Sequence, residues 1–281
     1  MTTQPFPLVG ILAGHPLAPA LLAIFDHWLD ITGARGRAVP LTIAPERLQA
    51  VVPALANAGF VGLAIGRPFQ RRALEIADRA TDDASILQAA NALTFTAAGK
   101  IMADNSVTLA LTNAIRSATG DPSPALGPVV VFGAGQTAFE TITALLHLGA
   151  DEIHVVNRTR VAAEDLERHF GGHIVVHDWV EGGNVVEGAG TVINATPLGM
   201  PGAPEFRVPL DGLSPSALVC DLALSPTPTR LLQVAMAPGC KTADGLDVLA
   251  LAAAPLFERW FETRAPSSET ARPALAKALA P

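Results

Sequence analysis

The run Val129-Val-Val-Phe-Gly-Ala-Gly-Gln-Thr-Ala138, followed by Ile153-His-Val-Val-Asn-Arg-Thr-Arg160, constrains the fold of this chain more than any other feature. It reads as an apolar strand, a glycine turn, a helix and a second strand ending in a basic cluster, the βαβ unit from which parallel sheets are built. Gly133 permits the tight turn, Gly135 lets the backbone approach a pyrophosphate, and Ala138 in place of a third glycine still lets the helix pack closely on the strand. With Ala134 between the glycines, the helix start at Gln136 and Thr137 offers free N–H groups and a positive dipole end to phosphates. A dinucleotide site is expected here; the plainer alternative is a purely structural βαβ turn.

The end of the second strand decides between dinucleotides. A carboxylate there accepts from a ribose 2′-hydroxyl and repels a 2′-phosphate. This chain has Asn157-Arg158-Thr159-Arg160 instead. Two guanidiniums and a hydroxyl suit a phosphate monoester, because Arg offers a planar fork of donors and Thr a short one. NADP is therefore the expected cofactor, with a solvated basic start to the next helix as the alternative.

Composition narrows the class. At 281 residues the chain is long enough for a large core and most naturally gives two domains. Its hydrophobic content of 49% and mean hydropathy of +0.36 are high, yet Pro and charged residues interrupt each apolar run before it reaches spanning length. No membrane helix is expected, and Met1 to Gly10 carry no basic stretch ahead of the apolar Leu8 to Ala13, so the expected address is cytoplasmic. A net charge of −7 with a pI near 5.5 argues against a nucleic-acid surface. Cys220 and Cys240 supply neither a zinc site nor an expected disulfide, and Cys220 reads as a small core residue. The seven histidines show no metal spacing, and His147 and His154 read as structural or exposed. The expected partner is a small-molecule substrate, without a metal; monomer and homodimer both stay open.

Strand-like runs alternate with helical patterns, an α/β arrangement with a largely parallel sheet. Leu8 to Ala13, Ala38 to Ile43 and Phe60 to Ile65 read as strands, and Pro19 to Ile31, Pro45 to Asn57 and Arg71 to Arg79 as helices. A helix over Val107 to Arg116 precedes the Gly- and Pro-containing stretch Ser117 to Pro124, which marks a linker. Further strands are expected at His173 to His177, Thr191 to Asn194, Leu218 to Leu222 and Cys240 to Ala243. The last helix, Leu246 to Thr263, is apolar on one face through Leu249, Ala253, Leu256 and Trp260 and needs a partner surface, which the first domain can supply. A Pro- and Ala-rich end follows Pro266.

Taken in order, these segments resemble the shikimate dehydrogenase family over nearly the whole chain. The resemblance is carried by Gly133-Ala-Gly135 with Asn157-Arg-Thr159, by Asn194-Ala-Thr-Pro-Leu-Gly-Met200, by Asp221-Leu-Ala-Leu-Ser-Pro226 with Leu231-Leu232, and by Asp244-Gly-Leu246 leading to Phe257-Glu-Arg-Trp260. It implies an N-terminal α/β substrate domain over 1–118, a Rossmann-like NADP domain over 119–238, a cleft between them, and a C-terminal segment over 239–281 returning to the first domain. It also implies cofactor contacts at Asn194, Ala195, Thr196, Leu222, Gly245 and Val248.

The departures from that family fall in the substrate half. Where the family has a lysine and an aspartate facing the substrate hydroxyl, this chain has Gln70, in Ala64-Ile-Gly-Arg-Pro-Phe-Gln70, and Val107, in Ala103-Asp-Asn-Ser-Val107. The paired serines that hold the substrate carboxylate have become Pro16-Leu-Ala-Pro19, the glutamine heading the last helix is Ala252, and the tyrosine after Asp221 is Leu224. Asn91 and Asn105 survive as candidates for the substrate hydroxyls, or as caps of a turn and a helix.

Exchanging a hydride with a secondary alcohol also moves a proton, and a positioned acid or base contributes roughly 100- to 10,000-fold. Gln70 can donate a hydrogen bond but exchanges no proton near neutral pH, and Val107 does neither. The main expectation is therefore an NADP-dependent oxidoreductase with a rebuilt pocket and a less polar, non-shikimate hydroxy or keto substrate. Arg67, Arg71 and Asp104 are candidate replacements for the lost groups, or solvated surface charges. One alternative is weak shikimate or quinate dehydrogenase activity of aromatic amino-acid biosynthesis; another is an NADP-binding module without catalysis.

Overall fold

Short strands, most of them followed by a helix, assemble into two α/β units, as a computed structural model describing residues 6–224 and 228–280 shows. The units comprise Met1–Val107 with Leu249–Ala280, and Thr108–Val248. Ser225 and Pro226, the end of the motif that starts at Asp221, lie outside the described residues.

The first unit opens with β1 (Leu8–Leu12), α1 (Leu17–Thr32), β2 (Arg37–Pro40), α2 (Leu48–Asn57), β3 (Phe60–Ile65), α3 (Gln70–Ile76), β4 (Arg79–Ala80), α4 (Asp82–Ile86), β5 (Ala92–Phe95) and β6 (Ile101–Asp104). Its sheet runs in the order β2-β1-β3-β5-β6-β4. Strand β1 is parallel to β2 and β3, but β5 is antiparallel to both β3 and β6. The hairpin β5–β6 is closed by the turn Thr96–Lys100 with Gly99 at φ 72°, a conformation that favours glycine. The helix predicted over Arg71 to Arg79 ends at Ile76, because Arg79–Ala80 is drawn into the sheet beside β6.

The second unit contains most of α5 (Val107–Thr119), then β7 (Val129–Phe132), α6 (Gln136–His147), β8 (Ile153–Asn157), α7 (Arg160–Phe170), β9 (Ile174–Asp178), α8 (Gly182–Val186), β10 (Thr191–Asn194), β11 (Leu218–Asp221), α9 (Arg230–Met236) and β12 (Lys241–Asp244). All neighbouring strands are parallel, in the order β12-β11-β10-β7-β8-β9. The order reverses at β7, the doubly wound arrangement whose ligands sit beyond the strands' carboxyl ends at the reversal. Central strands β7, β10 and β11 are buried at every residue, the result of covering both faces of a parallel sheet.

From Leu249 onward the chain belongs to the first unit again, through the remainder of α10 (Gly245–Phe261) and α11 (Ser268–Ala278). Phe257 lies edge-on to Trp28 at 5.5 Å and stacks on Phe25 at 6.4 Å. Trp260 donates from Nε1 to Thr94 Oγ1 at 3.0 Å and lies over Gly62, where a Cβ would collide with its ring. These contacts bury the predicted face of Ala253, Leu256 and Trp260. Helix α11 forms in the Pro- and Ala-rich end, held by Trp28 Nε1 donating to Thr270 Oγ1 at 3.2 Å. Among the described residues no helix is long and apolar enough to cross a membrane.

Candidate functional site

Because the second sheet is parallel, the residues that follow its strands emerge on one edge. Gly133 N donates to Val156 O at 2.9 Å, tying the β7 turn to β8. Its φ of 111° and the 3.0 Å separation of an added Cβ from Ala195 O both require glycine. Gly135 is different: φ is −94°, and an added Cβ would meet no protein atom within 4 Å. The space before the α6 N-terminus is thus open, with Ala134, Gln136 and Thr137 half-buried or exposed around it and Ala138 fully buried against the sheet. That opening fits a pyrophosphate group. Gly133→Ala is expected to lower the melting temperature by several degrees through left-handed strain. Gly135→Leu should leave melting nearly unchanged but weaken NADPH binding by more than about tenfold by filling the approach. Thermal melts and calorimetric titration of both variants check the contrast.

At the tip of β8, Asn157 Nδ2 donates to Thr159 O at 2.8 Å and turns the chain so that Arg158 projects outward. Arg158 is exposed and, with Asn157, Thr196, Leu198, Trp179 and Arg207, lines a cavity of about 670 Å³. Thr159 heads α7 without spending its hydroxyl on a cap. Of the two guanidiniums expected to meet a phosphate, Arg160 also has acidic partners. Its Nε donates to Glu164 Oε1 at 3.0 Å and its Nη1 lies 3.3 Å from Asp178 Oδ2. Asp178, then Glu164, hold its pKa above the ordinary value. Arg158 remains the uncommitted cation.

Asn194 also takes a different role from the one expected. It is fully buried; Nδ2 donates to Asp221 Oδ1 at 2.9 Å and Leu198 O at 3.1 Å, while Oδ1 accepts from Thr196 N at 3.0 Å and Thr196 Oγ1 at 2.6 Å. Its amide is consumed in shaping the loop that places Ala195 against Gly133 and Thr196 in the cavity wall. Asp221 accepts additionally from Thr229 Oγ1 at 2.6 Å and Ala223 N at 3.1 Å. Burial pushes its carboxyl upward, opposed by these donors. Leu222 is half-buried, and an added Cβ on Gly245 would lie 2.8 Å from Leu222 O, so Gly245 serves close backbone packing. Val248 is buried.

On the first sheet, Gly66 N donates to Leu12 O at 2.8 Å, Ile65 N to Asn91 O at 2.7 Å, Asn91 N to Asp104 O at 3.0 Å and Ala90 N to Gln70 O at 3.0 Å. These bonds bring Gln70, Asn91, Asn105 and Val107 to one edge. Asn91 Nδ2 donates to Ser106 Oγ at 2.9 Å and its Oδ1 accepts from Ser106 N at 3.1 Å, which leaves one amide hydrogen for a ligand. Asn105 is only 1% exposed: Nδ2 donates to Ala89 O at 3.1 Å and Oδ1 accepts from Val107 N at 3.0 Å, an Asx turn that starts α5. Of the two roles expected for it, these bonds give it the cap. Ser106, absent from the sequence expectations, ties the loop to α10 by donating to Ala252 O at 2.8 Å.

Of the residues expected as alternative acid–base groups, Arg71 lies 3.6 Å from Glu75, and Asp104 is bound to Arg259 at 2.7 Å and Thr81 Oγ1 at 3.0 Å. Arg67 is exposed. Both cysteines are free and buried, and burial pushes the Cys220 thiol up to about 12. His154 Nδ1 and His177 Nε2 lie 2.8 Å apart across β8 and β9, a pairing invisible without strand register.

The family model for the shikimate dehydrogenase substrate binding domain matches residues 9–93, and the model for shikimate / quinate 5-dehydrogenase matches 125–201. A shikimate dehydrogenase (NADP(+)) of Cereibacter sphaeroides is 44% identical over 270 residues, 96% of each chain. The chain belongs to the shikimate dehydrogenase family. A Paracoccus denitrificans relative of the same name is 43% identical over 266 residues, covering 94% of this chain and 93% of the relative. Among solved structures, shikimate 5-dehydrogenase from Thermus thermophilus in complex with NADP(H) and shikimate superposes with a TM-score of 0.83 at 26% identity, over 97% of this chain and 100% of that one. Quinate dehydrogenase from Corynebacterium glutamicum shares the fold, with a TM-score of 0.85 at 24% identity over 96% of this chain and 99% of that one. That family is one of oxidoreductase enzymes. The expectation of a less polar, non-shikimate substrate is not supported: near-full-length relatives are named shikimate dehydrogenase (NADP(+)).

Proposed function

We propose that the protein is an NADP-dependent dehydrogenase of shikimate/quinate type, acting on a ring hydroxyl of a small cyclic carboxylate. The near-full-length match to NADP(+)-dependent relatives supports this most directly. The uncommitted Arg158 at the β8 tip agrees with it, since the nearby Asp178 carboxylate is neutralised by Arg160. Bound NADP would supply the hydride acceptor. In this chain the Gly133–Ala138 turn and the α6 N-terminus hold the pyrophosphate, and Arg158 with Thr159 holds the 2′-phosphate. The first unit takes the substrate, with the remaining amide hydrogen of Asn91 meeting a hydroxyl and Gln70 donating to the oxygen borne by the carbon that is oxidised.

Gln70 and Val107 favour a second reading, an NADP-binding protein without turnover. Steady-state assays with shikimate and quinate, each with NADP and NAD, separate the two. Slow oxidation above the no-enzyme background, faster with NADP, is the expected result. Background rates from a protein whose melting still responds to NADPH support the second reading, and no response at millimolar NADPH overturns both.

A further inference from the structure

We propose that Arg67, with His15 beside it, holds the substrate carboxylate. The inference rests on the reading that the substrate is a small cyclic carboxylate. Strands β1 and β3 are parallel neighbours, so the loops after them leave the sheet side by side. Gly66 N donates to Leu12 O at 2.8 Å, and a Cβ on Gly14 would lie 4.0 Å from Arg67 O. His15 and Arg67 therefore stand on adjacent loops, at the edge that also carries Gln70 and Asn91.

The charges around this edge are otherwise matched. Arg71 faces Glu75, Arg72 donates to Pro45 O at 2.7 Å, and Arg259 neutralises Asp104. Arg67 and His15 are exposed and have no hydrogen-bond or ion-pair partner among the described residues. On a chain of net charge −7, an unmatched guanidinium on a loop adjacent to one bearing an imidazole is a local attractor for an anion. The segment Ala13 to Pro19 contains no hydroxyl, so on these two loops the side-chain donors suited to a carboxylate are the guanidinium fork of Arg67 and an imidazole N–H of His15.

The test is calorimetric titration of shikimate and of its uncharged methyl ester into the protein saturated with NADPH, a combination that prevents turnover. The acid should bind at least about tenfold more tightly than the ester, and Arg67→Gln should abolish that preference while leaving ester affinity unchanged. Arg67→Lys should restore only part of it, because an ammonium lacks the planar fork. His15→Asn should produce a smaller loss confined to the acid. Equal affinity of the intact protein for acid and ester, or a preference that survives Arg67→Gln, overturns the proposal alone. If neither compound binds while NADPH still does, the substrate reading itself fails.

Discussion

The double variant Gln70→Lys/Val107→Asp is expected to oxidise shikimate about 100- to 10,000-fold faster than the natural chain, the contribution of one positioned acid–base group. Both positions lie on the same edge of the first sheet. Gln70 O accepts from Ala90 N, Ala89 O accepts from Asn105 Nδ2, and Asn105 Oδ1 accepts from Val107 N, so a short relay of backbone and amide fixes their relation. Both side chains are half-buried at the first residue of a helix. An aspartate at the start of α5 is also favoured by the helix dipole. Each single variant should recover less, since the two groups act on one proton. The gain should appear in kcat rather than in NADPH affinity. A folded double variant that binds NADPH yet gains nothing would show that these positions do not reach the reacting oxygen.

Arg158→Ala is expected to weaken NADPH binding roughly 10- to 150-fold, the loss of a hydrogen-bonded charge pair worth about 1.5–3 kcal/mol. NADH affinity should barely move, because the missing partner is the 2′-phosphate. Arg160→Ala provides the contrast: its guanidinium is engaged by Glu164 and Asp178, so its removal should cost little NADPH affinity. Titrations of both dinucleotides against both variants read this directly. Equal NADPH losses for Arg158→Ala and Arg160→Ala would restore the two-guanidinium site that the sequence alone suggests. An NADH loss matching the NADPH loss would place Arg158 on a part common to both.

The glycine motif was legible because its meaning is local: the positive φ at Gly133 and the open approach at Gly135 are properties of a few consecutive residues. The hairpin β5–β6 was not legible. Its strands are four residues each and carry no sustained alternation, so only pairing with β3 identifies them as strands. Helix α11 was masked by its Pro and Ala content, yet packing against α1 holds it in place. Side-chain partners were not legible: Asn194, Asn105 and Arg160 were expected to meet a ligand, Asn105 alternatively to cap a helix, and each also has protein partners.

On its own, the order of residues determined the α/β class, the glycine turn before a helix, and the lack of a carboxylate at the end of the second nucleotide strand. Those features depend on residue type and short-range spacing. Tertiary structure alone decided which of two neighbouring arginines is available and which asparagines are caps. It also drew Ser106 to Ala252, 146 positions away, and placed the loops of His15 and Arg67 side by side. The reason is physical: a hydrogen bond or ion pair acts over a few ångströms of space, and only folding determines which distant residues come that close.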